Sequence, residues 1–350
     1  MQDGTVAPAR MPWRLLAVAA SALALAACGS AASTTSTTSP PATTAATAAS
    51  GTTAATTPIE NCGVRVAPAR PPARAVTLNQ GATEVMLALG LQDRMIGTAY
   101  LDDRVAPAYA AGYRAVPVLA EEYPSREVLL SKDPDFVYAS YASAFAADAA
   151  GPRDALAALG IRSYVSPFGC EPSERPAKVT LEGVFTEIAD IGTLFGVRDR
   201  AQALIAAQRA ELARALAPDR PGRGLKVLWW DSETKAPFVG TCCGAPAMML
   251  EAVGARNVFA GVQGSWANVS WERAVAADPD VIVLVDASWD TAAAKLRYAR
   301  ASSALRGLRA IRQHRVVELP FSDTTPGVRV ATGIGLLADG LRRLAAAPAP

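Results

Sequence analysis

Polar and aromatic side chains stand where the apolar, strand-like runs of this chain end. The first such runs lie at 74–78 and 95–99, and later ones end near 139, 230 and 285. In an open α/β sheet, ligands bind beyond the carboxyl ends of the strands. These side chains offer hydrogen bonds and aromatic faces, which indicates a binding site. The predicted ligand-contacting residues are Asn79, Gln80, Tyr100, Glu122, Tyr123, Tyr141, Trp230, Thr241, Cys242, Trp266 and Trp289.

The tryptophans are concentrated late in the chain, with five of the six after residue 228. Trp230, Trp266 and Trp289 could line a wall for a flat ligand, because indole rings present large apolar faces. The alternative is that each of them fills a core. Neighbours on a strand face opposite ways, which favours a core position for Trp229.

The sequence contains little that indicates catalysis. There is no nucleophile elbow of the Gly-x-Ser-x-Gly type, no phosphate-binding loop and no histidine-rich cluster. His314 is the single histidine, which argues against a metal site built from protein ligands. The faint candidate for acid–base chemistry is Glu122 with Asp102 or Asp103, so a secreted α/β enzyme is the alternative from another class.

The N-terminal segment is typical of export. Arg10 and Arg14 precede an apolar stretch at 15–26 that is too short to span a bilayer as a helix. The small residues before Cys28 match a lipoprotein cleavage site, so we predict a signal peptide over 1–28 with a lipid on Cys28; an ordinary secretory site is the alternative. Residues 29–58 are almost all Ala, Ser, Thr and Pro, which predicts a disordered tether.

Four cysteines remain once Cys28 is set aside, and an exported compartment permits disulfides. Four cysteines allow three pairings, between which a sequence cannot choose. We favour Cys62 with Cys170. The adjacent pair Cys242 and Cys243 is then a vicinal disulfide, a thiolate site for a soft metal, or two buried small side chains, and export favours the disulfide.

The charge of the chain is nearly balanced, with 34 Lys and Arg against 32 Asp and Glu. No basic field recruits nucleic acid. Apolar residues make up 51% of the 350, which is enough for two cores, and the length fits about two domains.

A short cassette occurs twice and predicts how these residues are positioned. Ser125-x-Glu127 is followed by an Asp-Pro-Asp and an apolar run, and Ser270-x-Glu272 is followed by the same pattern at the same spacing. Solenoid repeats recur roughly every 20–50 residues, far closer than these copies. The cassette therefore predicts two similar lobes with a cleft between them. Each lobe alternates strands and helices, which favours mostly parallel sheets of the α/β class.

The alternation breaks between the two lobes. An apolar helical stripe over 181–194 is interrupted at Gly196, and residues 198–217 are strongly helix-forming. We predict lobes at 59–179 and 222–346, joined through 180–221 by one long helix.

In these features the chain resembles the class III periplasmic binding proteins of ABC importers for ferric siderophores, haem and cobalamin. The resemblance rests on the segment 75–90, on both cassettes and on the connecting helix, and it covers about 59–345. It implies a ligand held between two doubly wound lobes, and docking of Glu127 and Glu272 into arginine pockets of the permease. It also implies that Arg329 meets ligand oxygens, which suits a planar bidentate donor.

The expected function is therefore that of a monomeric substrate-binding lipoprotein outside the cell membrane, which delivers a metal chelate to an ABC permease and its ATPase. A ferric siderophore is the first choice, and cobalamin or another corrinoid, haem or another large anionic cofactor are alternatives. The metal arrives inside its chelator, so no protein metal ligands and no cofactor beyond the lipid are expected.

Overall fold

A computed structural model of the protein describes residues 58–217 and 219–346. The predicted signal peptide, Cys28 and the tether up to residue 57 lie outside the described residues, so the predictions on them stand as predictions.

The first lobe is built on a five-stranded parallel sheet. Its strand order is β5-β4-β3-β6-β7, and a small antiparallel hairpin, β1 with β2, precedes it. The elements are β1 Ile59–Asn61, β2 Val64–Val66, β3 Ala75–Leu78, α1 Gln80–Ala88, β4 Met95–Ala99, α2 Ala110–Tyr113, β5 Val118–Ala120, α3 Arg126–Leu130, β6 Phe136–Ala139, α4 Arg153–Ala158 and β7 Arg162–Val165.

Two helices follow, α5 Leu181–Leu194 and α6 Arg198–Leu216. The turn between them passes through Gly196, whose φ of 71° lies in the left-handed region that glycine adopts at no steric cost. At about 1.5 Å per residue, α6 is about 30 Å long.

The second lobe is built on a mixed sheet. Its order is β11-β9-β8-β12-β13, with β10 also on β8; β8, β12 and β13 are parallel, while β9 is antiparallel to both of its neighbours. The elements are β8 Lys226–Ser232, β9 Phe238–Gly240, α7 Ala245–Ala252, β10 Arg256–Asn257, β11 Trp266–Asn268, α8 Trp271–Ala277, β12 Val281–Asp286, α9 Ala292–Ala301, α10 Arg309–Arg312, β13 Val316–Pro320 and α11 Val330–Ala346.

The two sequence cassettes fold into the same local structure. Ser125 caps α3 and Ser270 caps α8, each accepting a hydrogen bond of 3.4 Å from a backbone N–H three residues on. An aspartate in the left-handed region follows each helix, with φ of 50° at Asp133, three residues after α3, and 44° at Asp278, directly after α8. A proline follows each of them and prevents the helix from continuing.

The last residue of each cassette joins its helix to the sheet. The Asp135 carboxylate accepts 2.9 Å hydrogen bonds from the backbone of residues 73 and 74, just before β3. The Asp280 carboxylate accepts one of 2.8 Å from the backbone of Lys226, where β8 begins. The two copies of the sequence pattern therefore fold into the same local structure. The predicted fold class, two α/β lobes, is confirmed.

The helix α6 contacts both lobes. Near its start Arg200 donates to the carbonyls of Leu89 and Gly90 in the first lobe, at 3.2 and 3.1 Å. Near its end the carbonyl of Ala215 accepts a 2.7 Å hydrogen bond from Arg342 on α11. One apolar cluster runs from the first sheet through α5 and α6 to α11 and the second sheet, so the lobes share a core on this side. The predicted domain boundaries stay a prediction.

Candidate ligand-binding cleft

A cleft lies between the carboxyl ends of the first sheet and the segment after β13. It has walls from both lobes. The lining residues of the first lobe are Asn79, Gln80, Gly81, Asp102, Ser140, Tyr141, Ser166, Phe168 and Gly169; those of the second lobe are Phe321, Ser322, Thr325 and Pro326.

Asn79 organises one end of the cleft. It follows β3 directly, with a φ of 73°, and its side-chain oxygen accepts a 3.1 Å hydrogen bond from the Tyr123 hydroxyl. The Tyr123 ring meets the Tyr100 ring edge to face at 4.6 Å between centroids. Tyr100 itself follows β4 with a φ of 58°. Three predicted ligand residues are thus brought together at adjacent strand ends.

Close backbone packing shapes the cleft floor. The Ser140 hydroxyl accepts a 3.0 Å hydrogen bond from the backbone of Ala82 in α1. A Cβ atom added to Gly169 would stand 1.8 Å from the carbonyl oxygen of Ser140, so only glycine fits there. This approach leaves the next side chain, Tyr141, in the cleft with 40% of its surface exposed.

The second lobe supplies aromatic and acidic groups. Trp289, 58% exposed, packs edge to face on the cleft residue Phe321 at 4.9 Å. The indole N–H of Trp266 donates to the Asp231 carboxylate at 3.1 Å. The charge of Asp231 raises the pKa of the Tyr141 hydroxyl in the cleft. Neither Asp231 nor Trp266 is among the residues that line the cleft.

Burial shifts several acids at the cleft. It raises the pKa of Asp102 to about 6, with a further upward contribution from the charge of Asp103. Burial also raises the pKa of Asp231 to about 6, although the Trp266 N–H and the Lys295 charge oppose the shift. Although 40% of Tyr141 is exposed, desolvation of its hydroxyl raises the pKa of this residue first, followed by the charges of Asp102, Tyr123 and Asp231.

Beneath the floor lies a buried carboxylate that the sequence did not single out. Glu187 on α5 accepts hydrogen bonds from the Tyr138 hydroxyl and from the Ser166 hydroxyl, the latter at 2.9 Å. Desolvation raises its pKa to about 7, against those hydrogen bonds. Ser166 lines the cleft, so the floor is supported from below by this group. Ser140 and Ser166 follow β6 and β7 directly, and the strand-end rule could have found both.

Arg329 is held by the protein itself. Its Nε donates to Asp323 Oδ1 at 2.6 Å, and its guanidinium lies 3.5 Å from the Glu84 carboxylate. A further 3.2 Å hydrogen bond goes to the carbonyl of Arg104. Arg329 also lines a small pocket that shares Gln80 and Ser322 with the cleft. The expected contact with ligand oxygens stays a prediction, and Arg329 is not part of the ligand set proposed below.

Three other predicted residues are placed away from the cleft lining. Trp230 is 1% exposed, because β8 is central and its ring packs on Trp271 at 4.7 Å. Thr241 is fully buried, and its hydroxyl donates to the Gly264 carbonyl at 2.6 Å. Cys242 lines a separate pocket beside α7 and β10. We leave these three out as well. Glu122 is exposed, and its charge reaches Tyr100.

The four cysteines among the described residues are paired as Cys62–Cys170 and Cys242–Cys243. The first pair joins the hairpin at the start of the first lobe to the loop after β7, with Cα atoms 5.5 Å apart. Beside the second pair, the carbonyl of Cys243 accepts a 2.8 Å hydrogen bond from Val179, at the approach to α5. The vicinal pair therefore stands where the first lobe leads into the connecting helices.

Glu127 and Glu272 are both exposed in the first turn of their helices. The pKa of each is lowered, for Glu127 by its hydrogen bond with Ser125 first and for Glu272 by its own backbone first. Both side chains are therefore ionised at neutral pH and accessible to a partner.

Among residues 58–217 and 219–346, no group of three or more His, Cys, Asp or Glu side chains is arranged to hold a metal ion. Nor does any helix of this part have the length and apolar character needed to cross a membrane.

Two α/β lobes, a connecting helix and a cleft with walls from both lobes define a solute-binding protein. A family model for periplasmic binding proteins matches residues 76–322, and the chain belongs to that family. Its members bind solutes for import rather than catalyse reactions, so the alternative of a secreted α/β enzyme is rejected. No curated protein matches the sequence significantly.

Solved structures agree with this assignment. A periplasmic binding protein from Veillonella parvula is 29% identical, with a TM-score of 0.73 and coverage of 82% of this chain and 97% of that one. An ABC-type Fe3+-hydroxamate transport protein from Saccharomonospora viridis is 28% identical, with a TM-score of 0.65 and the same coverage. The haem-binding protein RhuT from Roseiflexus sp. RS-1, 23% identical, has the same fold with a TM-score of 0.61 and covers 78% and 98%.

Proposed function

We propose that this protein captures a ferric hydroxamate chelate between its lobes and delivers it to an ABC permease. The observation that carries the proposal is the 28% identity, over 82% of the chain, to a protein of an Fe3+-hydroxamate transport system. The cleft chemistry agrees, because Tyr123, Tyr141 and Ser140 offer hydroxyls and amphipathic rings to a chelator's carbonyl oxygens and methylene chains.

The proposed ligand set has two parts. Asn79, Gln80, Asp102, Tyr141 and Phe321 line the cleft. Tyr100, Glu122, Tyr123, Trp266 and Trp289 are retained from the sequence prediction. The metal enters inside its chelator, so the protein supplies no iron ligand. Haem and cobalamin, the alternatives from the sequence, serve as competing probes in the test.

We further propose that Cys28 carries a lipid, that residues 29–58 tether the lobes to the outer face of the membrane, and that the protein acts as a monomer. Glu127 and Glu272 then face the permease. Support for the docking role comes from their matched, exposed positions on the two lobes.

The test is a titration of the purified protein, followed by tryptophan fluorescence and by calorimetry. The probes are a ferric trihydroxamate, the same chelator without iron, haem and cobalamin. We expect saturable quenching with the ferric trihydroxamate and no chemical turnover. Trp289→Phe keeps an aromatic face beside Phe321 and should remove much of the quenching while the calorimetric affinity changes little. Saturable binding of haem or cobalamin alone, or release of a reaction product, would contradict the proposal.

A further inference from the structure

The vicinal disulfide Cys242–Cys243 is a reactive group outside the lining of the ligand cleft. Both of its cysteines are partly exposed, and Cys242 lines a separate pocket. In the other disulfide Cys170 is 2% exposed, and Cys62 packs against an apolar cluster. A disulfide is cleaved by a thiolate that reaches one of its sulfur atoms, so access decides which pair reacts first. The vicinal pair is the accessible one of the two.

The pocket beside Cys242 is positively charged. Its lining includes the cations Lys178, Arg220 and Arg256 and a single acid, Glu251. All three cations are exposed, and among the residues that the structure describes their side chains form no ion pair. The volume of the pocket is about 440 Å³, which is within the range of sites for small molecules. A small anion therefore fits beside this disulfide and is attracted to it.

The disulfide also lies at a junction of the two lobes. The carbonyl of Cys243 accepts its 2.8 Å hydrogen bond from Val179, which is 8% exposed and belongs to the apolar cluster that both lobes share. On the other side, the backbone N–H of Cys242 donates to the Val262 carbonyl at 3.2 Å. A vicinal disulfide closes a small ring that contains the peptide bond between its cysteines. This ring restricts the backbone rotations that direct the Cys243 carbonyl toward Val179.

We propose that Cys242–Cys243 is a thiol–disulfide exchange site for a small thiol that carries carboxylates, and that reduction of this disulfide loosens the contact between the first lobe and the loop at 240–244. The cations of the pocket bind the carboxylates, and the sulfur of the thiol meets Cys242, which lines the same pocket. This site goes beyond the proposed function, because it reacts whether or not a chelate occupies the cleft.

The exchange proceeds in two steps. In the first, the incoming thiolate attacks Sγ of Cys242 and forms a sulfur–sulfur bond to it, while the bond to Cys243 breaks and leaves its electron pair on the Cys243 sulfur. In the second, another thiolate attacks the sulfur of the attached thiol and releases Cys242. The two cysteine sulfurs take up the two protons that the thiols lose. In total the protein disulfide is reduced by two electrons, and two thiols are oxidised to their own disulfide.

The first measurement is the order in which the two disulfides react. The purified, folded protein is treated with dithiothreitol, and samples are alkylated over time and analysed by mass spectrometry. We expect Cys242 and Cys243 to be alkylated at least about tenfold faster than Cys62 and Cys170. Equal rates, or earlier alkylation of Cys62 and Cys170, would overturn the assignment of an exchange site.

The second measurement tests the charge of the thiol. Reduction rates are compared for 3-mercaptopropionate, 2-mercaptoethanol and cysteamine, each divided by the rate of the same thiol with a small neutral disulfide. We expect the anionic thiol to exceed the cationic one by about tenfold at low salt and by less at high salt. Arg220→Glu with Arg256→Glu should remove this preference. Arg306→Glu with Arg312→Glu, at exposed arginines of the second lobe outside the pocket lining, is the matched control and should keep it.

The third measurement is amide hydrogen exchange, at a reductant concentration that opens the vicinal pair alone. We expect exchange at the Val179 amide to quicken by about fivefold on reduction. Cys242→Ser with Cys243→Ser should give the same rate without a reductant. The Lys226 amide, hydrogen-bonded to Asp280 at 2.8 Å, is the internal control and should not change. An unchanged rate at Val179, or wild-type reduction rates that do not depend on the charge of the thiol, would overturn the proposal even where a variant fails to fold.

Discussion

Arg329 and Asp323 form a 2.6 Å ion pair in which both side chains are largely buried, with 16% and 7% of their surfaces exposed. The same guanidinium reaches Glu84 on α1, whose side chain is 2% exposed. A second bond between the lobes lies beside it, from the Ser322 hydroxyl to the Asp103 carboxylate at 3.1 Å. The residue that the sequence assigned to ligand oxygens therefore joins the two lobes.

Replacing Arg329 should destabilise the protein strongly. Arg329→Met leaves two carboxylates buried without their cation, and breaking a buried pair from one side costs about 3–5 kcal/mol. The free energy of unfolding, measured by urea denaturation, should fall by about that amount. The triple variant Glu84→Gln, Asp323→Asn, Arg329→Met should recover a large part of the loss, because no buried charge is then left unpaired.

The control for this prediction is an exposed ion pair. Arg209 lies 2.7 Å from Glu182, with 53% and 70% of the side chains exposed. Glu182→Gln should cost less than about 1 kcal/mol, since exposed pairs contribute little. If Arg329→Met and Glu182→Gln lowered the free energy of unfolding equally, burial of the Arg329 ion pairs would not increase their contribution to stability.

A second prediction concerns pH and the buried Glu187. An unfolded glutamate titrates near 4.5, whereas burial raises the pKa of folded Glu187 to about 7. Between these values the native state binds the extra proton, so this residue makes the free energy of unfolding fall as the pH rises. Above about pH 7 the full destabilisation is present, and below about pH 4.5 it is absent.

Glu187→Gln removes this titration. Relative to wild type, the variant should gain on the order of 2 kcal/mol in free energy of unfolding between pH 5 and pH 8. Asp102 and Asp231 also have raised pKa values, so the difference between variant and wild type, rather than the wild-type curve, isolates Glu187. Glu182→Gln, an exposed acid on the same helix, should show no such gain. Parallel curves for wild type and Glu187→Gln would contradict the assignment.

Much of this architecture could be predicted, because strong local patterns decide it. The strand at 95–99 is β4, and the long helix at 198–217 is α6, Arg198–Leu216. The short strands β5, β9 and β11 were missed, because each has three residues, too few to show a periodic signal.

Some of the predicted ligand-contacting residues line the cleft, and others lie away from it. The rule for strand ends found Asn79, Gln80 and Tyr141, which line the cleft. Trp230 was predicted as a ligand contact, with a core position as the alternative. Because β8 lies inside its sheet and is covered on both sides, Trp229 and Trp230 are both buried. The partners of Arg329 include Glu84, far away along the chain, and no local pattern reveals such a contact.

The two disulfides should differ widely in their effect on stability. Cys62 and Cys170 are 108 positions apart, and a loop of about that length lowers the entropy of the unfolded chain by the equivalent of about 4–5 kcal/mol. Cys242 and Cys243 are neighbours and close no chain loop. The paired serine substitution at 62 and 170 should lower the free energy of unfolding by about 2–5 kcal/mol, and the pair at 242 and 243 by about 1 kcal/mol or less. A larger loss at the vicinal pair would show that it stabilises the approach to α5 by its contacts in the native state.

The docking proposal predicts a separation between ligand affinity and uptake. Glu127 and Glu272 lie in the first turns of α3 and α8, exposed and outside the residues that line the cleft. Glu127→Ala with Glu272→Ala should therefore leave the calorimetric affinity for the ferric trihydroxamate within about twofold of wild type. Uptake of the labelled chelate by cells should be lost, because permease arginines on both sides lose their carboxylate partners.

The matched control keeps the number of removed charges and changes their place. Glu60→Ala with Glu251→Ala removes one exposed acid from each lobe, neither of them in the first turn of a helix. This control should support normal uptake. Each single substitution at Glu127 or Glu272 should reduce uptake partially, since one of the two contacts remains. The Glu127→Ala, Glu272→Ala variant must be present at the cell surface in wild-type amounts. If its uptake is then normal, the docking role is contradicted, and the two acids only stabilise their helix N-termini.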